Sequence, residues 1–267
     1  MTRGTDPYGI AMATVPEAYR GVYGAPRPAS LADLALPPAR LPARQGLRPL
    51  KRWRYVGVYG PELMICLAAI RIGPARQVFW AVWDRTEARL RERTALGRGR
   101  VQLAPGRAQV HERDVMFELA WTEQAGIETV CPSGESYAWT RKQGGVPVRG
   151  RALLDGRPYE IAGRAVIDDT AAYYARHTRW RWSAGVGEAL DGRAVAWNLV
   201  AGVNDPPHGS ERTVWIDGAP HEVPPCTFAA DLSAVDELRF HAEATREHTD
   251  NLLVLRSRPE NVPNGWR

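Results

Sequence analysis

The chain has 267 residues, 44% of them hydrophobic and 24% charged, with a net charge of +5 and a pI near 9.3. That is the composition of an ordinary soluble globule with material for one large core or two smaller ones, and no apolar run approaches the roughly 18 residues of a membrane span. Only Lys51 and Lys142 among the 35 basic residues are lysines, the arginines are interspersed with acids and no motif accompanies them, so nucleic acid is not an expected partner.

The N-terminus, M-T-R-G-T-D-P-Y, lacks a basic segment followed by an apolar stretch, and a cytoplasmic location is expected. Residues 1–48 form a leader rich in proline and alanine. Its prolines remove the backbone donors that a helix interior or central strand needs, so it should run extended over the body or stay partly disordered. One helical turn is expected within Ser30 to Leu36, capped by Ser30 and ended by Pro37.

From residue 49 the dominant period is two. Leu50 to Tyr59 and Leu63 to Ile72 flank Gly60-Pro61 and predict a hairpin. Gln77 to Asp84 is apolar on both faces, as a strand covered on both sides would be. Asp114 to Trp121 alternates, with Val115, Phe117, Leu119 and Trp121 on the inner face. Ala165 to Arg176 is expected to hold a short helix crossing between two sheets. Further strands are expected at Arg193–Val200, Arg212–Ile216, Glu237–Thr245 and Asn251–Arg256. Asp155-Gly156, Asp191-Gly192 and Asp217-Gly218 mark tight turns, because glycine accepts positive φ without steric cost. Many short strands without a long amphipathic helix predict antiparallel sandwiches or barrels. Cys66, Cys131 and Cys226 are widely separated, which argues against a disulfide framework or zinc cluster; Cys66 and Cys226 are expected as inert core thiols.

Chemistry-bearing residues concentrate between Asp168 and Gly218. Trp180, Trp182, Trp197 and Trp215 fall there beside Asp168, Asp169, His177, Asn198, Asp205, His208 and Glu211, a mixture suited to a polar-tipped apolar pocket. Asp168 and Asp169 are adjacent, so on a strand they point to opposite faces and cannot form an acid–base pair. One of them serves as a buried proton donor, or both cap the helix beginning near Thr170. His177 is either a general acid or base at a cavity mouth or a plain exposed histidine. His208, Glu211 and Asp205 share a loop, but His-x-x-Glu there is too little for a metal site, and no metal is assigned. Asn198, mid-strand, needs partners across the sheet or on a ligand. The tryptophans are core or cavity lining, which in a barrel are one surface. No nucleophile elbow, phosphate-binding loop or dinucleotide fingerprint is present, and no cofactor is expected.

The segments W-R-W-S-A-G at 180–185, D-G-R-A-V-A-W-N-L at 191–199, N-D-P at 204–206, S-E-R-T-V-W-I-D-G at 210–218 and N-L-L-V-L at 251–255 resemble the bacterial domain of unknown function family 2804. Upstream, R-W-R-Y at 52–55, L-G-R-G at 96–99 and K-Q-G-G-V-P-V-R-G at 142–150 agree in order, so the resemblance covers residues 45–257. More distantly the family is similar to lipocalin-like two-barrel proteins that include carotenoid hydratases. The resemblance implies an all-β fold of two tandem antiparallel barrel-like or sandwich halves, at residues 49–164 and 165–267, with an apolar cavity. Members usually continue past N-L-L-V-L. Here Pro259 and Pro263 follow, so the second half is expected to lack its last strands and to end in an edge strand, which predicts a homodimer or a marginally stable second half.

The function expected from these residues is binding of a hydrophobic small molecule, such as an isoprenoid, polyketide or lipid. Trp180, Trp182, Trp197, Asn198 and Trp215 would line the cavity. The sharper alternative is a cofactor-independent hydratase, isomerase or cyclase that uses Asp168, His177 or Glu211 for proton transfer. The rival is a noncatalytic scaffold whose tryptophans are wholly structural.

Overall fold

The computed structural model describes residues 17–97, 99–246, 251–252, 255–256 and 262–264. Within them the protein is all-β, and its one helical element is a single 3-10 turn at Ala29–Leu31. That turn is preceded by Pro28, not capped by the Ser30 side chain.

The main body is one curled sheet. Its strands are β1 (Tyr19–Val22), β2 (Lys51–Tyr59), β3 (Leu63–Ile72), β4 (Ala75–Asp84), β5 (Arg89–Leu96), β6 (Val101–Ala104), β7 (Arg107–His111), β8 (Val115–Trp121), β9 (Ile127–Ser133), β10 (Ser136–Leu154) and β11 (Arg157–Ala172). The hydrogen-bonded order is β5-β4-β3-β2-β11-β10-β8-β7-β6, with β9 pairing the first half of β10 and β1 pairing β9. The predicted hairpin is β2–β3. The alternation in β8 is as expected, with Val115, Phe117, Leu119 and Trp121 buried. These side chains join Val56, Leu67, Trp80, Val148 and Ile167 in a core that fills one end of the curl. Asp155 (φ 48°) with Gly156, and Asp217 (φ 49°) with Gly218, are two of the three turns the sequence marked; at the third, Asp191-Gly192, only the glycine has positive φ.

Four expectations need correction. The helix expected at Ala165–Arg176 does not form: β11 continues to Ala172, paired to β10 on one side and β2 on the other. Two full ladders outcompete a short helix there, since they satisfy both edges of the strand. Asp168, Asp169 and Thr170 are accordingly strand residues with no helix to cap. The predicted strand at Glu237–Thr245 is reduced to Leu238–Arg239, paired with Ala234–Val235, and to a separate pairing of Ala244–Arg246. Its alternation used two alanines on the apolar face, and alternation without large side chains to bury selects no partner. The predicted Asn251–Arg256 strand is two short segments paired with each other, Asn251–Leu252 and Leu255–Arg256, and it is not part of the second sheet. Finally, all three cysteines are free, but the buried one is Cys131, whereas Cys66 and Cys226 are half-buried. Burial pushes the Cys131 thiol up to about 12.

The second half contributes an open sheet in the order β12 (Arg181–Glu188), β13 (Ala194–Ala201), β14 (Thr213–Ile216) and β15 (Ala219–Glu222). β15 is exposed throughout, and its Pro220 and terminal Glu222 are residue types that discourage edge pairing. This sheet lies on the outer face of β2, β10 and β11. The Tyr59 hydroxyl donates to the Ala184 carbonyl at 2.7 Å, and Arg164 donates to the Gly187 carbonyl at 2.6 Å.

The described part of the leader does run across the body. Leu31, Leu36 and Leu41 are buried against Val130, Tyr137, Trp139 and Tyr173. Arg27 Nε donates to Glu128 Oε1 at 2.9 Å, while Trp139 Nε1 donates to the other oxygen of this fully buried carboxylate at 2.8 Å. Arg20 reaches the second half, donating to the Ser210 carbonyl at 2.7 Å. Glu128→Gln is expected to weaken the leader's attachment by about 1.5–3 kcal/mol, the usual value of hydrogen bonds to a charged group. Hydrogen exchange over residues 17–41 checks this: faster exchange there, with β2–β4 unchanged, is the expected result.

Candidate functional site

The residues singled out in the sequence gather mainly where the two sheets meet. The motif at 142–145 explains why. Lys142 lies on the outer face of β10, opposite Asp168 of β11 in register. Gly144 follows on the same face, and a Cβ there would stand 2.2 Å from Trp215 Cε3, so only glycine admits the Trp215 ring from the second sheet. Gly145, with φ +72°, is the extra residue of a bulge after which β10 reverses its facing. Arg141 therefore faces the inside of the curl before the bulge, and Val146 and Val148 face it afterwards.

Around Lys142 a buried polar network forms. Its Nζ lies 2.7 Å from Asp168 Oδ1 and 3.3 Å from Glu211 Oε1, and the three side chains are 2–9% exposed. Asp168 also accepts from Trp53 Nε1 and the Thr170 hydroxyl, both at 2.9 Å. Glu211 Oε2 accepts from Asn204 Nδ2 at 3.1 Å, and the same amide donates to the Tyr174 hydroxyl at 2.6 Å. Trp182 Nε1 donates to Asn198 Oδ1 at 2.8 Å, and Asn198 Nδ2 donates to the Glu211 carbonyl at 2.9 Å. Burial alone would lower the Lys142 pKa, but Asp168 and Glu211 reverse the balance and raise it. Burial raises Glu211, against the pull of Lys142, and raises Tyr174 well above the ordinary tyrosine value, with the Glu211 charge adding to it. Acid and amine thus satisfy one another across the interface, and the arrangement holds two sheets in register.

Asp168, Trp182, Asn198 and Glu211 are brought together here. Trp180, 43% exposed, stacks on Trp53, which stacks in turn on Tyr174. Trp197 lies over Gly185 and donates to the Ser183 hydroxyl at 2.9 Å, and Trp215 lies over Gly144, so these two serve as packing between glycines and neighbouring strands. His177 is exposed on the segment between β11 and β12, apart from the network. The loop trio diverges: His208 is exposed, Asp205 accepts from the Gly202 N–H at 2.7 Å, and Glu211 faces Lys142.

Sequence reasoning passed over Lys142 as a site residue. Its one signal was its rarity, as one of two lysines among 35 basic residues, and in the fold its compact ammonium fits between two carboxylates.

A second arrangement occupies the inner face. Asp169, pointing opposite to Asp168, accepts two bonds from Arg54 Nη1 at 2.9 and 3.0 Å. Glu123 is bonded by Arg54, by Trp121 Nε1 at 2.8 Å and by Gln143 Nε2 at 3.1 Å, with Arg141 3.3 Å away. Burial raises the Asp169 pKa, against the charge of Arg54. These groups lie at the end of the curl that the apolar core does not fill. There a cup of about 1030 Å³ opens, lined among others by Ala69, Val78, Val101, Leu103, Trp139 and Asp169, with Pro37, Pro38 and Arg40 of the leader forming part of its wall. No local sequence pattern announces the cup, since its lining comes from many strands.

Comparison with known proteins gives three findings. The profile of the family described as domain of unknown function (DUF2804) matches residues 98–260, more than half of the chain, and the chain belongs to that family. Among solved structures, an AttH-like protein from Nitrosomonas europaea is 16% identical with a TM-score of 0.40, the alignment covering 76% of this chain and 80% of that one. Kievitone hydratase from Nectria haematococca is 10% identical with a TM-score of 0.42, covering 69% of each chain. No curated protein matches. Among the described residues, no helix is long and apolar enough to cross a membrane.

Proposed function

We propose that this member of the DUF2804 family binds a hydrophobic small molecule in the cup of its curled sheet. The observation that carries the reading is the asymmetry of the barrel interior. One end is packed solid by the core, whereas the other is open to about 1030 Å³, at the upper end of the range for small-molecule sites. Trp197 and Trp215 of the second half act as packing, which supports the scaffold reading for that half, and the ligand is assigned to the first.

An enzymatic version draws support from Asp169, the carboxyl that reaches the cup, with a pKa raised by burial. Asp168 and Glu211, held by Lys142, are less suited to proton transfer than the sequence suggested.

Titration with an apolar fluorophore and with long-chain lipids, read by the emission of Trp139 at the cup, tests the proposal. Saturable binding is expected, weakened at least tenfold or so by Ala69→Trp, which fills the cup from its floor. Absence of saturable binding, or binding indifferent to Ala69→Trp in a folded variant, would count against it.

A further inference from the structure

We infer that the cup selects an amphiphile with an acidic head, a carboxylate or a phosphate, on an apolar body. This rests on the cup being a ligand site and deepens that reading. Cross-strand register places Arg52 of β2 opposite Arg71 of β3, and Arg71 opposite Arg76 of β4. Three guanidinium groups therefore line one row across three adjacent strands, and all three belong to the wall of the cup. Like charges directly opposite one another on a sheet are destabilising, so the row costs stability unless an anion sits against it.

The protein supplies no such anion among its described residues. Asp169 and Glu123, the inner carboxylates next to the row, are engaged by Arg54 and Arg141 in the row below. Among the described residues none of Arg52, Arg71 and Arg76 makes an ion pair, and Arg71 Nε donates to the nearby Gly73 carbonyl at 3.0 Å. At the bottom of the row, Arg52 Nε is buried without a hydrogen-bond partner, as is Arg54 Nε one row deeper. A buried N–H of that kind carries a desolvation penalty that a bound oxygen would remove. Arg40 and Arg107 complete the wall, also without ion pairs among the described residues. Below and beside the row, Ala69, Val78, Val101 and Leu103 offer an apolar surface to the rest of the ligand. Arginine suits this duty because its planar fork matches the two oxygens of a carboxylate or phosphate.

The test compares laurate, dodecyl phosphate and dodecanol, with inorganic phosphate as a competitor, on the whole chain and on its Arg52→Gln and Arg76→Gln variants. At least one acidic amphiphile is expected to bind about tenfold or more tightly than dodecanol. That advantage should shrink with salt and should vanish in Arg52→Gln, where acids and dodecanol bind alike; which acid gains it tells carboxylate from phosphate. Because the row repels itself, Arg76→Gln should also melt at a slightly higher temperature than the parent without ligand, a readout independent of binding. Equal binding of all three amphiphiles would overturn the acidic-head inference and leave the cup reading standing. An advantage that survives both arginine variants would also overturn it. Failure of all three to bind would remove the cup reading itself, and binding of inorganic phosphate alone would make the cup an anion site with no part for an apolar body.

Discussion

Replacing Lys142 with methionine is expected to destabilise the protein by about 3–5 kcal/mol, because it leaves two buried carboxylates without their counter-charge. The variant keeps the length of the side chain, so the loss reports charge and not a cavity. Its pH dependence distinguishes this from lost packing. The native pKa of Glu211 is raised, so the folded state holds that proton more tightly than the unfolded chain. Ionising the group as pH rises therefore costs native stability, and Lys142 offsets that cost in the parent protein. Without the ammonium the offset is gone. The deficit of Lys142→Met should be smallest in acid and should grow as pH climbs through the carboxylate range. Lys142's own raised pKa places the loss of its contribution in alkali, above the ordinary lysine range. Urea denaturation of both proteins at about pH 5 and about pH 8 measures the difference. A deficit constant across that interval would show that the network's charge is irrelevant to the docking of the two sheets.

Trp215→Ala is expected to cost about 3–5 kcal/mol, the usual range for truncating a buried aromatic. The ring is 4% exposed and seated over Gly144, where an added Cβ would come within 2.2 Å of it. Gly144→Ala alone should therefore be strongly destabilising, since the ring must move or the sheets must part. In the Trp215→Ala background the same substitution has room, and most of its cost should disappear. The double-mutant cycle is thus expected to give a coupling of about 1–3 kcal/mol. Additive effects in denaturant midpoints would mean that glycine is required at 144 for the bulge and not for the ring. The two experiments address one surface from two sides, one by charge and one by shape.

Much of this protein is legible in its residues taken alone. Period-two alternation located β2–β4, β8, β13 and β14, because a strand buried on one face or both must place its large apolar side chains at fixed spacing. The Asp-Gly pairs at 155–156 and 217–218 set their hairpins, because few other residue pairs accept positive φ twice in succession. That Asp168 and Asp169 would part to opposite faces also followed from the strand alone. Where the residues gave only alternation, as at 237–245, or only a locally plausible helix, as at 165–176, the outcome depended on which neighbours were available for pairing. The convergence of Lys142, Asp168 and Glu211 depends on β10 and β11 being in register and on a third strand from the other sheet arriving over Gly144. Likewise the row Arg52, Arg71 and Arg76 exists only once β2, β3 and β4 are aligned: Arg71 and Arg76 meet across one hairpin, and Arg52 joins them only through the β2–β3 register. Local chemistry determined the strands, the turns and the facing of each side chain. Charge compensation, the site's third partner and the open end of the barrel were decided by tertiary pairing, because each is a property of side chains that only the sheet brings within reach of one another.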